Sequence, residues 1–253
     1  MRVRLPPRPV LYNMNITLGV NQTTHTAGIC VREKIVLSWS SGKDSAMMLY
    51  EIQQSGKYEV ASLLTTVTEN YDRVSMHGVR SRLLDKQAES LGLPLHKIYL
   101  STKSSNEEYE AKMKESLAQF RENGVSSVAF GDIFLEDLKK YREGNLAKIS
   151  MKGLFPIWKK DTKMLIREFI RHGFQAVIVC VDTNVLDKSW AGRMIDSDFL
   201  SQLPSNIDPC GENGEFHTFA FDGPIFKRKI SFSIGEKVMR DSRFYFVDLI
   251  PKD

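Results

Sequence analysis

The sequence predicts an α/β fold: a doubly wound, mostly parallel sheet followed by a smaller C-terminal α/β substrate domain. Three observations carry that expectation. Apolar runs of strand length alternate with helical apolar patterns from Lys34 to about Phe130. Several of those helical patterns stop at a glycine, namely Gly56, Gly92 and Gly124. A turn of small polar residues, Ser38-Trp39-Ser40-Ser41-Gly42-Lys43-Asp44-Ser45, joins the first apolar run to the first helix.

The elements follow in order. Ile35–Trp39 reads as a buried strand, and Ala46, Met47, Leu49, Tyr50 and Ile52 form the apolar face of a helix over Lys43–Ser55. Val60–Val67, His96–Leu100 and Val125–Phe130 read as further strands, and Val79–Leu91 and Asn106–Glu122 as helices. Such alternation implies right-handed crossovers and a sheet covered on both faces. Leu135–Lys148 continues as a helix, and Leu154–Trp158 follows it. Thr162–His172 is a helix capped by Asp161 and stopped by Gly173, and Gln175–Val181 is a buried strand. Beyond Asp182 the period weakens as Gly, Asp and Asn accumulate. A domain transition is placed between Gly144 and Gly153, dividing 33–146 from 147–253. Residues 1–32, with Pro6, Pro7 and Pro9 and no period, read as a disordered leader or a start codon called too early, Met14 being the candidate.

Composition excludes several function classes. Hydrophobic residues at 42% and charged residues at 26% describe a soluble globular protein, and no run approaches a transmembrane helix. The net charge of +4 lies in Arg2, Arg4, Arg8 and Arg32, so the body from Glu33 onward is formally neutral. No nucleic-acid footprint follows from that. Cys30, Cys180 and Cys210 are far apart with no CxxC pair, which fits free thiols and a cytoplasmic location.

The small-residue turn carries the chemistry. A helix N-terminus presents backbone N–H groups and a partial positive charge, which suit phosphate. Ser41 and Gly42 let the backbone approach an anion, Lys43 adds a cation, and Ser40 and Ser45 add hydroxyl donors. Asp44 can cap the helix or reach magnesium. An ordinary strand-to-helix turn with a polar cap explains the same residues. Neither the GxxxxGK[ST] nor the GxGxxG spacing is present. In open parallel sheets ligands bind beyond the carboxyl ends of the strands, which brings this turn together with the segment after Val67 and with Gly131-Asp132.

Ser40-Ser41-Gly42-Lys43-Asp44-Ser45 resembles the SGGxDS pyrophosphate loop of the PP-loop ATP pyrophosphatases, with Ser41 in place of the first glycine. A positive φ at Ser41 would be less comfortable than at glycine. Four further segments narrow the likeness: His77-Gly78-Val79-Arg80, Gly131-Asp132-Ile133, Leu186 to Arg193, and Asp208 to Thr218. Together they resemble the diphthine–ammonia ligase family over about residues 34 to 230.

The resemblance implies an adenine nucleotide alpha-hydrolase-like, Rossmann-like domain over 33–146 that cleaves ATP between the α and β phosphates. It further implies an enzyme that adenylates a carboxylate and amidates it with ammonia, the carboxylate being diphthine on elongation factor 2. Lys43, Asp44, Glu212, Glu215 and His217 are the candidate catalytic residues. Ser40, Ser41, Gly42, Lys43, Asp44, Ser45, His77, Gly78, Arg80 and Gly131 are the candidate ATP contacts, and Asp44 and Asp132 the candidate Mg2+ ligands. Arg80 is read as a phosphate clamp, and Glu212, Glu215 and His217 as a cluster that holds ammonium and accepts its proton. Solvated glutamates in a polar turn, a surface arginine and a helix-capping Asp132 are the bland readings. A different small-molecule carboxylate, and a sensor that holds ATP without turnover, are the rival functions.

Overall fold

The strands of the first sheet are assembled around β1 (Glu33–Ser38), whose side chains alternate between two cores. In this computed structural model residues 32–75 and 77–252 are described; the expectations for residues 1–31, Cys30 among them, lie outside that set. Ile35 and Leu37 point into one apolar cluster and Val36 into the other. That alternation is the period-2 signature of a strand buried on both faces.

The chain order is β1, α1 (Lys43–Ser55), β2 (Tyr58–Thr68), β3 (Arg73–Val74), α2 (Ser81–Leu91), β4 (Leu95–Leu100), α3 (Asn106–Glu122), β5 (Ser127–Ala129), α4 (Glu136–Ala147) and β6 (Lys152–Leu154). β4 pairs with β2, β2 with β1, β1 with β5 and β5 with β6, all parallel. Leu37 lies between Leu63 and Ala129 in register. β3 alone is antiparallel, a short hairpin on the end of β2. Met47 of α1 and Leu83 of α2 join the cluster holding Ile35, whereas Leu117 of α3 and Leu146 of α4 join that holding Val36. The sheet is therefore doubly wound, as the alternation predicts. The strand order turns back at β1, with β2 and β4 on one side and β5 and β6 on the other, the topological position where such sheets open a crevice. β6 extends the first sheet to Leu154, past the boundary at 146 read from the sequence.

The remaining elements are α5 (Thr162–Arg171), β7 (Gln175–Asp182), α6 (Ser197–Gln202), β8 (Phe216–Asp222), β9 (Phe232–Arg240) and β10 (Phe244–Pro251). Their four strands form an antiparallel sheet in the order β8-β7-β10-β9. The weakened period beyond Asp182 concealed three of these strands. β9 sits at the sheet edge and six of its nine residues are exposed, so it shows no apolar alternation. The glycines and aspartates mark the turns between short strands instead. Val177 and Phe219 of this sheet belong to the same cluster as Ile35 and Met47, so one core runs through both sheets. No helix among the described residues is long and apolar enough to cross a membrane.

Candidate active site

The turn between β1 and α1 is held from beneath by bonds far apart in sequence. Ser41 adopts φ 72°, the left-handed conformation that a Cβ disfavours, and it is fully buried. Its carbonyl oxygen accepts from the Ala220 N–H at 2.9 Å and from Gln87 Nε2 at 3.0 Å. Among the described residues its hydroxyl has no hydrogen-bond partner. Gly42 is the N-cap of α1 and supplies no side-chain acceptor, unlike Ser105 and Asp161 at the starts of α3 and α5. Ser40 Oγ and Ser45 Oγ stand 3.0 Å apart, and the Lys43 N–H donates to Thr218 Oγ1 at 3.0 Å. β8 thus braces the first turn of α1.

Lys43 Nζ donates to both carboxylate oxygens of Asp44, at 2.9 and 2.8 Å, and to the Cys210 carbonyl. Burial is the largest single effect and works against its charge, but Asp44, Cys210 and Glu212 together outweigh it and the lysine pKa is raised. Asp132, beyond β5, meets Arg142 Nε at 2.7 Å through Oδ2. That contact lacks hydrogen-bond geometry, and both atoms are buried without another partner. Burial raises the Asp132 pKa against the pull of Arg142. Gly131 packs so closely on α1 that a Cβ would stand 3.0 Å from the Asp44 carbonyl carbon.

The Cys210–Thr218 loop closes the far side. Glu212 Oε1 accepts from the Ile133 N–H at 2.8 Å, joining this loop to the segment after β5. Burial is the main cause that pushes the Glu212 carboxyl up to about 7. The His77 and His217 rings lie 4.6 Å apart. Burial lowers His77 to about 4, and burial with the neighbouring His77 lowers His217 to about 3, so both imidazoles are neutral near pH 7.

Ser40, Lys43, Asp44, Ser45, His77, Gly131, Asp132, Glu212 and His217 line one cleft of about 390 Å³. Five expected site residues, Ser41, Gly42, Gly78, Arg80 and Glu215, do not join them. Glu215 is buried and turned into its own loop, where it accepts from the Asp208 and Asn213 N–H groups at 3.0 Å each and from Asn213 Nδ2 at 3.1 Å. It shapes the turn that aims Glu212. Arg80 ion-pairs with Asp248 of β10 at 2.6 Å, and Gly78 packs on Phe246; both are directed away from the cleft. The arginine sits one residue before α2, a position whose direction spacing cannot specify. Ser41 is fully buried with its carbonyl held by Ala220 and Gln87, and Gly42 packs against His77 and Thr218.

Gln87, Thr218 and Arg142 were not read as site residues. Gln87 had a visible signal, a polar side chain within the apolar stripe Leu83, Leu84, Ala88, Leu91 of α2. Among the described residues no group of three or more His, Cys, Asp or Glu is disposed to hold a metal.

Comparison with known proteins identifies the family of the chain. The diphthamide synthase N-terminal domain model matches residues 33–152, and the C-terminal domain model matches 161–248. A human protein named diphthine–ammonia ligase is 28% identical over 226 residues, covering 80% of this chain and 84% of its own. The zebrafish (Danio rerio) protein of that name is 28% identical over 79% of this chain and 86% of its own. The Schizosaccharomyces pombe protein is 26% identical over 80% of this chain but only 36% of its own length. With both domain models matched in order around the cleft, the chain belongs to the diphthamide synthase family.

Proposed function

We propose that this enzyme, an ATP-dependent ligase of diphthamide synthesis, forms an amide from a protein-borne carboxylate and ammonia, with diphthine on elongation factor 2 as the acceptor. The observation that carries the reading is the convergence on one cleft of Lys43, Asp44, Asp132 and Glu212, from three loops remote in sequence. The relatives named diphthine–ammonia ligase support the acceptor.

The chemistry divides into two displacements. A carboxylate oxygen attacks the α-phosphorus of ATP; the bond to the bridging oxygen breaks, and pyrophosphate leaves an acyl adenylate. Ammonia then attacks the acyl carbon, the bond to AMP breaks, and one proton is lost. The α1 N-terminus, Ser40 and Lys43 stabilise charge on the departing pyrophosphate, where preorganised donors contribute most. Glu212, held by the Ile133 N–H and facing the cleft, takes the proton from the attacking nitrogen. The neutral His77–His217 pair walls the cleft without repelling an ammonium ion.

The residues fit a magnesium ion. That ion takes one or two carboxylates together with substrate phosphates, and Asp44 and Asp132 share the cleft, each ion-paired to one cation, Lys43 and Arg142, whose place the metal would share. Bound there, it would neutralise phosphate charge.

Product analysis tests the reading, using ATP, Mg2+, ammonium and diphthine-bearing elongation factor 2. AMP and pyrophosphate that depend on the acceptor are expected, and ADP with phosphate would refute the adenylating mechanism. Asp44→Asn should abolish pyrophosphate release in a folded protein. Glu212→Gln should leave pyrophosphate formation but slow amide formation; loss of ATP binding would instead assign that loop to the nucleotide.

A further inference from the structure

The His77-Gly78-Val79-Arg80 segment leads away from the ATP cleft into a second cavity. Gly78 has φ 69°, and a Cβ there would stand 2.8 Å from Phe246 Cδ1, so this turn is shaped to receive the Phe246 ring. Arg80 and Arg73 both clasp Asp248, two residues further along β10, at 2.6 and 2.8 Å. The segment therefore fixes one aromatic ring in place.

That ring belongs to a wider aromatic surface. His217, Cys180 and Phe246 lie directly opposite one another across β8, β7 and β10, which turns their side chains to one face of the sheet. With Tyr71, Tyr109 and Phe244 they line a cavity of about 990 Å³. It adjoins the ATP cleft, sharing Val74, Ser75, Tyr109 and His217 with it. The Arg240 guanidinium lies 5.1 Å from the Tyr71 ring centre and 5.4 Å from that of Phe246. Among the described residues no carboxylate pairs with it. The two ring faces thus already seat a cation, held by the ring quadrupoles alone.

We propose that this cavity is the acceptor site and that it recognises a quaternary ammonium, which takes the Tyr71 and Phe246 ring faces in place of Arg240. The inference rests on the diphthine reading. Diphthine carries a trimethylammonium on the carbon next to the carboxylate that is amidated, so a carboxylate in the ATP cleft places its methylated nitrogen beside that cleft. A permethylated nitrogen has no N–H to donate, and aromatic faces are the surfaces that hold it without hydrogen bonds. Arg240 then acts as a resident competitor.

The test compares kcat/KM for two acceptors, elongation factor 2 bearing diphthine and the same protein with the unmethylated amine. The wild type should prefer the trimethylated acceptor. Phe246→Leu should reduce that preference about tenfold, the size expected of a desolvated cation–ring contact. Arg240→Gln, at an exposed residue that does not threaten the fold, should lower the KM for the diphthine acceptor about threefold by removing the competitor. A rise in that KM would mean the cavity recognises an anion through Arg240, and would overturn the proposal. Equal use of both acceptors by the wild type would also overturn it, while leaving the ligase reading intact. No amidation of diphthine by the wild type would sink the ligase reading and the seat with it. A thermal melt of Phe246→Leu separates lost recognition from lost folding.

Discussion

The Gln87 side-chain amide donates to the Ser41 carbonyl oxygen at 3.0 Å, so a helix on one side of the sheet holds the tightest point of the turn between β1 and α1. The same nitrogen reaches the Ala220 carbonyl at 2.6 Å, and the Gln87 oxygen accepts the Trp39 indole N–H at 2.8 Å. Every polar atom of this fully buried side chain is thereby satisfied. One residue couples the turn after β1 to α2 and β8.

Gln87→Leu should therefore cost about 2–4 kcal/mol, because it leaves the Trp39 N–H and the Ala220 carbonyl buried without this partner. Urea unfolding measures the loss, and the KM for ATP should rise with it. A variant as stable as the wild type would show that the three bonds contribute nothing net.

Ser41→Gly should stabilise the protein by about 1 kcal/mol. It relieves a left-handed residue with a Cβ and removes an unpartnered buried hydroxyl, offset in part by the freer unfolded chain. The denaturant midpoint should move upward. A fall would mean that the hydroxyl has a role in the folded loop.

Gly131→Ala should raise the KM for ATP about tenfold, for a steric reason. The added methyl would press on the Asp44 carbonyl carbon and the Ser45 nitrogen, at 3.0 and 3.2 Å, and both belong to rigid backbone. Unaltered steady-state kinetics would show that α1 yields at no cost.

Asp248 should govern stability in acid. Hydrogen bonding from Arg80, with Arg73 adding to it, lowers its pKa to about 2. The unfolded carboxyl titrates near 3.9. Its contribution is therefore complete above about pH 4 and is lost as the pH falls from about 4 to about 2. With Arg80 half exposed, about 1–2 kcal/mol is expected. Asp248→Asn should be less stable at pH 7 and flatter across that window, as pH-dependent unfolding would record.

Glu215→Gln should lower the melting temperature, since both oxygens now accept N–H groups in their own turn and an amide would set a donor against donors. Glu212→Gln, which keeps an oxygen for the Ile133 N–H, should melt near the wild type. Equal melting of the two variants would remove the distinction drawn between these glutamates.

Much of the fold was legible in the sequence because its determinants are local. The run Ile35-Val36-Leu37, the small-residue turn and the periodic face of Lys43–Ser55 each encode their conformation within a few residues, and crossover handedness does the rest. β8, β9 and β10 were not legible. An edge strand with exposed residues carries no alternation, and antiparallel partners are chosen by packing rather than by pattern. The direction of side chains at the cleft was hidden for the same reason. Arg80 stands one residue before α2, where its direction was open, and it finds Asp248, 168 residues away.

By itself, then, the sequence determined the alternating α/β architecture, the small-residue turn between β1 and α1 and the family whose motifs surround it. The tertiary structure decided which of the motif residues meet. It brought Lys43, Asp132 and Glu212 to one cleft, turned Glu215 inward, gave Gly78 to the neighbouring aromatic cavity and paired Arg80 with Asp248. Local conformation follows from nearest-neighbour sterics and periodicity, which a linear string records. The pairing of buried charges and rings depends on distances between remote segments, and those exist only once the two sheets share a core.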